Sequence, residues 1–250
     1  MENITRRFGA IQALDNVNLY LEEGEVLGLV GDNAAGKSTL TKILAGAEVP
    51  DSGQILIDGK AVTFSSPADA RNLGVEMVYQ DLSLCDTIDV AGNLFLGREP
   101  MRNLLGMRFL DRPRMHKEAR QLLNALNIRV QNTRNPVQRL SGGQRQSIAI
   151  CRAVSFQPKI LIMDEPTAAL AVAEVEAVLR LIREISQRGV SVILITHRLQ
   201  DLFVVCDRIM VLYEGRNVAE RAAKETNLEE IVRLIVGGRF AHLTPAAEAA

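Results

Sequence analysis

A chain of 250 residues with 47% hydrophobic and 24% charged residues can bury one substantial core, as an ordinary folded domain does. Its 29 basic and 30 acidic residues give a formal charge of −1, so no overall field would recruit nucleic acid or an anionic membrane. Apolar runs are strand-length and no export signal is evident, so we expect a cytoplasmic protein whose three separate cysteines stay reduced.

Strand and helix patterns alternate along much of the chain, which predicts an α/β protein with a mainly parallel sheet covered on both faces. Strands are predicted at 26–30, 160–163, 192–195 and 208–213, and helices at 37–45, 172–188 and 228–236. The apolar runs at 160–163 and 192–195 show no polar alternation, which is typical of strands buried on both faces.

Two regions depart from this alternation. Residues 17–21 alternate apolar and polar side chains, and residues 54–64 resemble a hairpin turning at Asp58-Gly59, which together predict an antiparallel flank. Residues 82–153 show helical patterns only, including 114–126, and predict an inserted helical subdomain.

The ends of the chain complete the predicted domain organisation. Residues 1–4 supply at most a fragment of a first strand, which suggests a late start or a short edge strand. One domain is expected over 1–238, followed by a disordered tail at 239–250.

A glycine-rich turn, here called the phosphate loop (residues 31–38), joins the first core strand to a helix. It consists of Gly31, Asp32, Asn33, Ala34, Ala35, Gly36, Lys37 and Ser38, followed by Thr39. It matches the pattern Gly-x4-Gly-Lys-Ser/Thr, in which backbone N–H groups and the start of a helix cradle phosphate. Lys37 would reach the β- and γ-phosphates, and the Ser38 hydroxyl would bind Mg²⁺. About one chain of this length in a hundred would contain the pattern by chance, as a simple tight turn, and the flanking strand and helix favour nucleotide binding.

Two carboxylates, Asp164 and Glu165, follow the strand predicted at 160–163. Ligands of open α/β sheets bind at the carboxyl ends of strands, so Asp164 would hold Mg²⁺ through water and Glu165 would be the general base for the attacking water. Acidic residues also cap loops after strands, and the phosphate loop decides between these interpretations. His197 follows the next strand and could contact the γ-phosphate and hold the water in line, with a helix cap or a packed polar residue as the alternatives.

Residues 140–144 form a second glycine-rich segment, which consists of Leu140, Ser141, Gly142, Gly143 and Gln144. It opens a predicted helix whose positive end suits phosphate, although Ser141 and Gln144 also fit a Ser-x-x-Gln helix cap. These five residues are the signature of ATP-binding-cassette (ABC) ATPases, which the chain resembles over nearly its whole length. The resemblance implies a P-loop nucleotide-binding core with a mainly parallel sheet, an antiparallel β flank and a helical subdomain.

The resemblance also implies roles for individual residues. Phe8 matches the aromatic residue that stacks on adenine, Gln80 matches the glutamine that senses Mg²⁺ and the attacking water, and His197 matches the switch histidine. The resemblance implies catalysis by Glu165, His197 and Lys37, metal contacts from Ser38, Gln80 and Asp164, and ATP contacts from Phe8, residues 31–39 and Gln80. In this family the signature (residues 140–144) closes over ATP held by a second copy, which implies a homodimer with two shared sites.

Two positions depart from the family pattern. Ala34 stands where many members have glycine, a mild change if its backbone angles are ordinary. Ala171 stands where many carry an aspartate that communicates across the dimer, which puts coupling through that residue in doubt.

Three stretches, residues 68–75, 79–84 and 93–99, are similar to ATPases of bacterial monosaccharide importers of the ribose, xylose, galactose and fructose type. This similarity implies an import ATPase on the inner face of the cell membrane, with membrane permease subunits and, indirectly, a sugar-binding protein as partners. The alternative is a non-transport ABC ATPase, such as an iron–sulfur-assembly cassette. A chromosome-structure ATPase is disfavoured because no sustained heptads separate Ser38 from Leu140.

Overall fold

The computed structural model describes residues 1–104 and 106–241. The strands are β1 (Glu2–Phe8), β2 (Ile11–Val17), β3 (Val26–Gly31), β4 (Ser52–Ile57), β5 (Lys60–Val62), β6 (Val75–Val78), β7 (Met101–Leu104), β8 (Met107–Leu110), β9 (Ile160–Asp164), β10 (Ser191–Ile195), β11 (Arg208–Tyr213) and β12 (Arg216–Ala222). The helices are α1 (Lys37–Leu44), α2 (Pro67–Asn72), α3 (Val90–Phe95), α4 (Arg112–Ala125), α5 (Gly142–Val154), α6 (Val172–Ser186), α7 (Leu199–Val205) and α8 (Leu228–Ala241).

A six-stranded sheet in the order β12-β11-β3-β10-β9-β6 forms the core, and its neighbours are parallel except for β11 and β12. Successive residues of a strand face opposite sides of a sheet. Leu161 and Met163 accordingly join the apolar cluster that includes α5 and α6, whereas Ile162 joins the cluster that includes α1 and the antiparallel strands. The apolar runs therefore form strands buried on both faces, as predicted.

A separate four-stranded antiparallel sheet in the order β2-β1-β4-β5 forms the predicted flank. The hairpin turns at Asp58 and Gly59, whose φ angles of 52° and 73° fit a two-residue turn with both residues left-handed. The prediction for the first strand was wrong: β1 has seven residues and pairs with β2 on one side and β4 on the other, so it is not an edge strand. Ile4 anchors it because its side chain is fully buried. Residues 18–21 lie outside β2.

The inserted region also differs from its prediction. Helices α3, α4 and α5 pack together, but residues 82–153 additionally contain the hairpin β7–β8. Hydrogen bonds from Asn93 stabilise the entry into this region, because its buried amide accepts from the Cys85 N–H at 2.8 Å and donates to the Cys85 carbonyl at 3.0 Å. The subdomain is therefore mixed rather than purely helical.

The carboxyl-terminal helix α8 extends to Ala241, past the predicted boundary at 238, and residues 242–250 of the predicted tail lie outside the described residues. Within the described residues, no helix has the length and apolar character that crossing a bilayer requires. All three cysteines are free; Cys151 and Cys206 are buried, and burial raises the pKa of Cys151 to about 12.

Candidate nucleotide site

The phosphate loop lies between β3 and α1, with its shape fixed by neighbouring backbone. A Cβ atom on Gly31 would lie 2.2 Å from the Leu212 carbonyl oxygen, so only glycine fits there. Gly36 precedes α1 with φ +100°, and a Cβ on it would lie 2.7 Å from the Ala13 carbonyl oxygen. The predicted glycine roles thus have a direct steric basis.

Lys37 is held inside the loop that it is predicted to serve. Its ammonium donates to the carbonyls of Gly31 at 2.8 Å and Asp32 at 2.9 Å. Burial lowers the pKa of Lys37, and the nearby carboxylates of Glu165, Asp32 and Asp164 oppose that shift. The loop therefore presents one positive charge beside the two carboxylates predicted from the sequence.

Ala34 does not meet the condition under which its substitution for glycine would be mild. Its φ angle is 67°, in the left-handed region where a side chain is unfavourable. The loop adopts the conformation expected with glycine and holds alanine in it. The phosphate-loop geometry therefore includes one strained residue.

Asp164 and Glu165 lie at the carboxyl end of β9, and Asp164 pairs in register with Ile195 of β10. Burial raises the pKa of Asp164, Glu165 adds to the rise, and Lys37 opposes it. These are oxygen donors beside a lysine, as a nucleotide-bound divalent cation requires. Ser38 is the second residue of α1 and follows Lys37 directly, so it lies at the end of the phosphate loop.

His197 and Glu165 meet across the ends of the two strands. The Glu165 carboxylate lies 2.8 Å from His197 Nδ1 and accepts the His197 backbone N–H at 3.3 Å. The Glu165 N–H donates to the Ile195 carbonyl at 2.9 Å, and the φ angle of Glu165 is 51°. The backbone conformation therefore sets the direction of the Glu165 side chain. The structure therefore brings together the two residues predicted to position the attacking water.

A buried pair behind these residues was not predicted. The Thr167 hydroxyl donates to Asp201 at 2.7 Å, and these residues are only 1% and 4% exposed. Asp201 also pairs with Arg198 at 3.3 Å, so it links the loop after Glu165 to the loop carrying His197. No local sequence signal marks this contact, since the two partners are 34 residues apart.

Gln80 lies two residues beyond β6 and is exposed. It lines a cavity together with Glu165, Gly142 and Gln146. Gln146 is 6% exposed and its amide nitrogen has no hydrogen-bond partner among the described residues. The cavity therefore joins the segment that follows β6, the start of α5 and the predicted base.

Phe8 ends β1 and is 42% exposed, with the Arg6 guanidinium 4.8 Å from its ring centre. The neighbouring strand β2 packs against the phosphate loop, since Ala13 lies next to Gly36. The β1–β2 hairpin thus carries an exposed aromatic ring on the element that abuts the loop. Stacking of Phe8 on adenine remains a prediction.

The signature forms the start of α5 and is capped by its own side chains. The Ser141 hydroxyl accepts from the Gln144 backbone N–H at 3.3 Å, and the side-chain Oε1 of Gln144 accepts from the Ser141 backbone N–H at 3.1 Å. The helix-cap interpretation is therefore confirmed. Leu140 packs against the main apolar cluster, so the segment is anchored at its first residue.

The cavity at this helix start is separate from the phosphate loop. Its lining includes Ser141, Gly143 and Gln144 from the signature and Glu174 and Arg180 from α6. None of residues 31–38, all of which the structure describes, lines it. The two phosphate-suited elements of one chain therefore open at different places.

Comparison with protein families and curated proteins connects this geometry to known chains. A family model described as ABC transporter matches residues 14–168. The xylose/arabinose import ATP-binding protein of Sulfolobus acidocaldarius is 44% identical over 94% of this chain and 92% of its own length. The fructose import ATP-binding protein of Rhizobium meliloti is 42% identical over 94% of this chain and 92% of its own length. A ribose import ATP-binding protein of Burkholderia cenocepacia is 43% identical over 96% of this chain but only 47% of its own length.

Solved structures agree with these sequence relatives. A nucleotide-free ATP-binding cassette from an ABC transporter has a TM-score of 0.80 at 26% identity, with 94% of this chain and 93% of the other covered. The cassette MJ0796, in a dimeric post-hydrolysis state bound to ADP and Pi, has a TM-score of 0.73 at 25% identity, with coverage of 90% and 98%. With the fold, the phosphate loop and the signature in place, this chain belongs to the ABC transporter family as an ATP-binding cassette.

Proposed function

We propose that this chain is the ATP-hydrolysing subunit of a monosaccharide importer, and that two copies hydrolyse ATP at two shared sites. The observation that carries the proposal is the separation of the phosphate loop from the signature cavity within one subunit. Each loop can receive the signature of a second copy, and the dimeric state of MJ0796 bound to ADP and Pi supports the association of two copies. The sugar assignment rests on the names of the xylose/arabinose, fructose and ribose relatives.

In this function the phosphate loop binds the triphosphate through its N–H groups and Lys37. Glu165 takes a proton from the attacking water, and His197 holds Glu165 and that water in line, as their 2.8 Å contact supports. Mg²⁺ would be held by Ser38 and Asp164, with Gln80 nearby, and when bound it would neutralise charge on the phosphates. The oxygen chemistry of these side chains fits that ion.

Membrane permease subunits would dock on the segment Gln80–Glu99 and the adjoining subdomain. A groove there is lined by Tyr79, Leu82, Leu96 and Phe156, together with the ion pair of Arg71 and Glu76 at 2.8 Å. It has the mixed apolar and charged character of a protein-binding surface. In this arrangement the cassettes lie on the inner face of the membrane, a sugar-binding protein delivers the substrate outside, and closure of the ATP-bound dimer moves the permease.

The test is Glu165→Gln in the purified chain. Removal of the base should lower ATP turnover by about 1,000-fold while ATP binding is kept, because the substitution preserves size and removes only proton acceptance. Light scattering after size exclusion should then show a dimer that forms only with ATP. Turnover at the unaltered rate, or a monomer at saturating ATP, would contradict the proposal.

Substrate class is tested separately in cells that carry the same substitution. Uptake of isotope-labelled ribose, xylose, galactose and fructose should fall for at least one sugar. Normal uptake of every one of them would refute the sugar assignment without affecting the ATPase assignment.

A further inference from the structure

The start of α5 in the free subunit already faces an anion, the Glu174 carboxylate of α6. A Cβ atom placed on Gly143 would lie 2.7 Å from the Glu174 Cβ atom and 3.0 Å from its carboxyl carbon, so the two residues are in direct contact. Glu174 Oε2 accepts the Ala171 N–H at 3.2 Å and would lie 3.9 Å from a Cβ atom placed on Gly142, so the carboxylate lies against the signature.

The donors at this position are those that a phosphate would use. The Ser141 oxygen accepts from the Gln144 N–H, which leaves the hydroxyl proton free to be donated. The Gly143 N–H belongs to the first turn of α5, where backbone donors lack partners inside the helix. The nearby Ser141 hydroxyl and Gly143 N–H lower the pKa of Glu174, so this carboxylate is charged at neutral pH.

We infer that Glu174 occupies, in the free subunit, the place at Ser141 and Gly143 that the γ-phosphate of a second copy's ATP takes in the closed dimer. The carboxylate must leave before the phosphate can bind, so Glu174 sets the ATP concentration at which the dimer closes. This inference rests on the proposed function, because it requires the signature to meet ATP held by another subunit.

Departure of the carboxylate requires no rearrangement of the core. Glu174 is partly exposed, and its hydrogen bond with Ala171 lies within its own helix start, so rotation of the side chain can carry the carboxylate away from Ser141 and Gly143. The Ala171 contact alone would suffice for a helix cap. The contact with Gly143 is additional, and it is the one that competes with phosphate.

The experiment compares three proteins in the Glu165→Gln background, where the ATP-bound dimer accumulates. They are the parent, Glu174→Gln and the matched control Glu176→Gln, which removes one charge from the same helix at a residue paired with Arg180. Sedimentation velocity against ATP concentration gives the midpoint of dimer formation. A second titration, on protein dilute enough to stay monomeric, gives the ATP affinity of the phosphate loop.

Glu174→Gln should lower the ATP midpoint of dimer formation about five-fold, the size expected for relief of one close repulsion near the surface. Glu176→Gln should leave the midpoint unchanged, and neither substitution should alter ATP affinity of the monomer. A purely structural role for Glu174, as a support for the signature, predicts the opposite shift.

An unchanged or raised midpoint in Glu174→Gln, with a parent that dimerises normally, would overturn the inference and leave the shared site intact. The inference is also overturned if Glu176→Gln lowers the midpoint equally, because the effect would then be one of net charge. Failure of all three proteins to dimerise with ATP would overturn the shared site, and the inference with it.

Discussion

The phosphate loop and the signature are both glycine-rich starts of helices, yet their surroundings differ. The loop is enclosed by other backbone at Gly31 and Gly36, and its lysine is held by its own carbonyls. The signature is at the surface, capped by Ser141 and Gln144 and contacted by a carboxylate. We propose that steric enclosure suits the first to bind phosphate within one subunit, whereas the second presents its backbone donors to a ligand held by another copy.

The strongest challenge to this contrast is Ser141→Arg. A bulky cation at the surface should prevent the signature from closing on a second copy, so hydrolysis should fall about 100-fold, as when a donor to transition-state charge is lost. ATP binding by the monomer should stay the same, because Ser141 belongs to the cavity that is separate from the phosphate loop. Turnover and equilibrium dialysis measure the two quantities.

Ser141→Thr is the matched control, since it keeps the hydroxyl that caps α5. It should retain most of the activity. A fully active Ser141→Arg protein that stays monomeric would show that the signature is not needed for catalysis.

Lys37→Ala tests the phosphate-loop side of the comparison. Loss of a charged donor inside the loop should weaken ATP binding by the monomer about 30-fold. Lys42→Ala, in the last turn of the same helix, should bind ATP normally. Equal affinities for the two variants would mean that Lys37 does not contact phosphate.

Asp164→Asn is expected to have the smallest effect. It tests whether the ionised Asp164 carboxylate destabilises the fold when no nucleotide is bound. Because burial and Glu165 raise the pKa of Asp164, its ionised form destabilises the nucleotide-free fold above the ordinary pKa of aspartate. The neutral amide should raise the melting temperature at pH 7 by about 2 °C.

That gain should shrink as the pH falls toward about 4, where aspartate becomes protonated in both the folded and the unfolded state. The stabilisation that Mg²⁺ and ATP together confer should fall in the variant, since the metal contact proposed for Asp164 would be lost. Calorimetry without nucleotide measures the gain in melting temperature, and calorimetry with nucleotide measures the stabilisation by Mg²⁺ and ATP. If Asp164→Asn melts at a lower temperature than the unaltered protein without nucleotide, the electrostatic explanation is contradicted.

Local patterns were sufficient for the elements that one stretch of sequence specifies by itself. The apolar strands, the turn at Asp58-Gly59, the phosphate loop and the cap at Ser141 all follow from side-chain chemistry over a few neighbouring residues. The hairpin β7–β8 could not be predicted in this way, because its described side chains are mostly exposed and lack the burial that produces alternation.

Contacts between segments that are distant in the sequence limited how much of the site could be predicted. The prediction that His197 and Glu165 both act on the attacking water was possible because consecutive parallel strands end at one edge of a sheet. The bond between Thr167 and Asp201 and the contact between Gly143 and Glu174 depend on how helices pack on that sheet, which no short pattern encodes. The left-handed φ angle of Ala34 could not be predicted from the residue itself, since alanine does not favour that region.

The unequal burial of the three thiols supplies a ready labelling position. Cys151 and Cys206 are enclosed and resist ionisation, whereas Cys85 is partly accessible and its backbone is held on both sides by Asn93. A maleimide dye should therefore attach to the unaltered polypeptide at one rigid point, within the segment Gln80–Glu99. Fluorescence from that dye would report engagement of a permease directly, without any engineered cysteine.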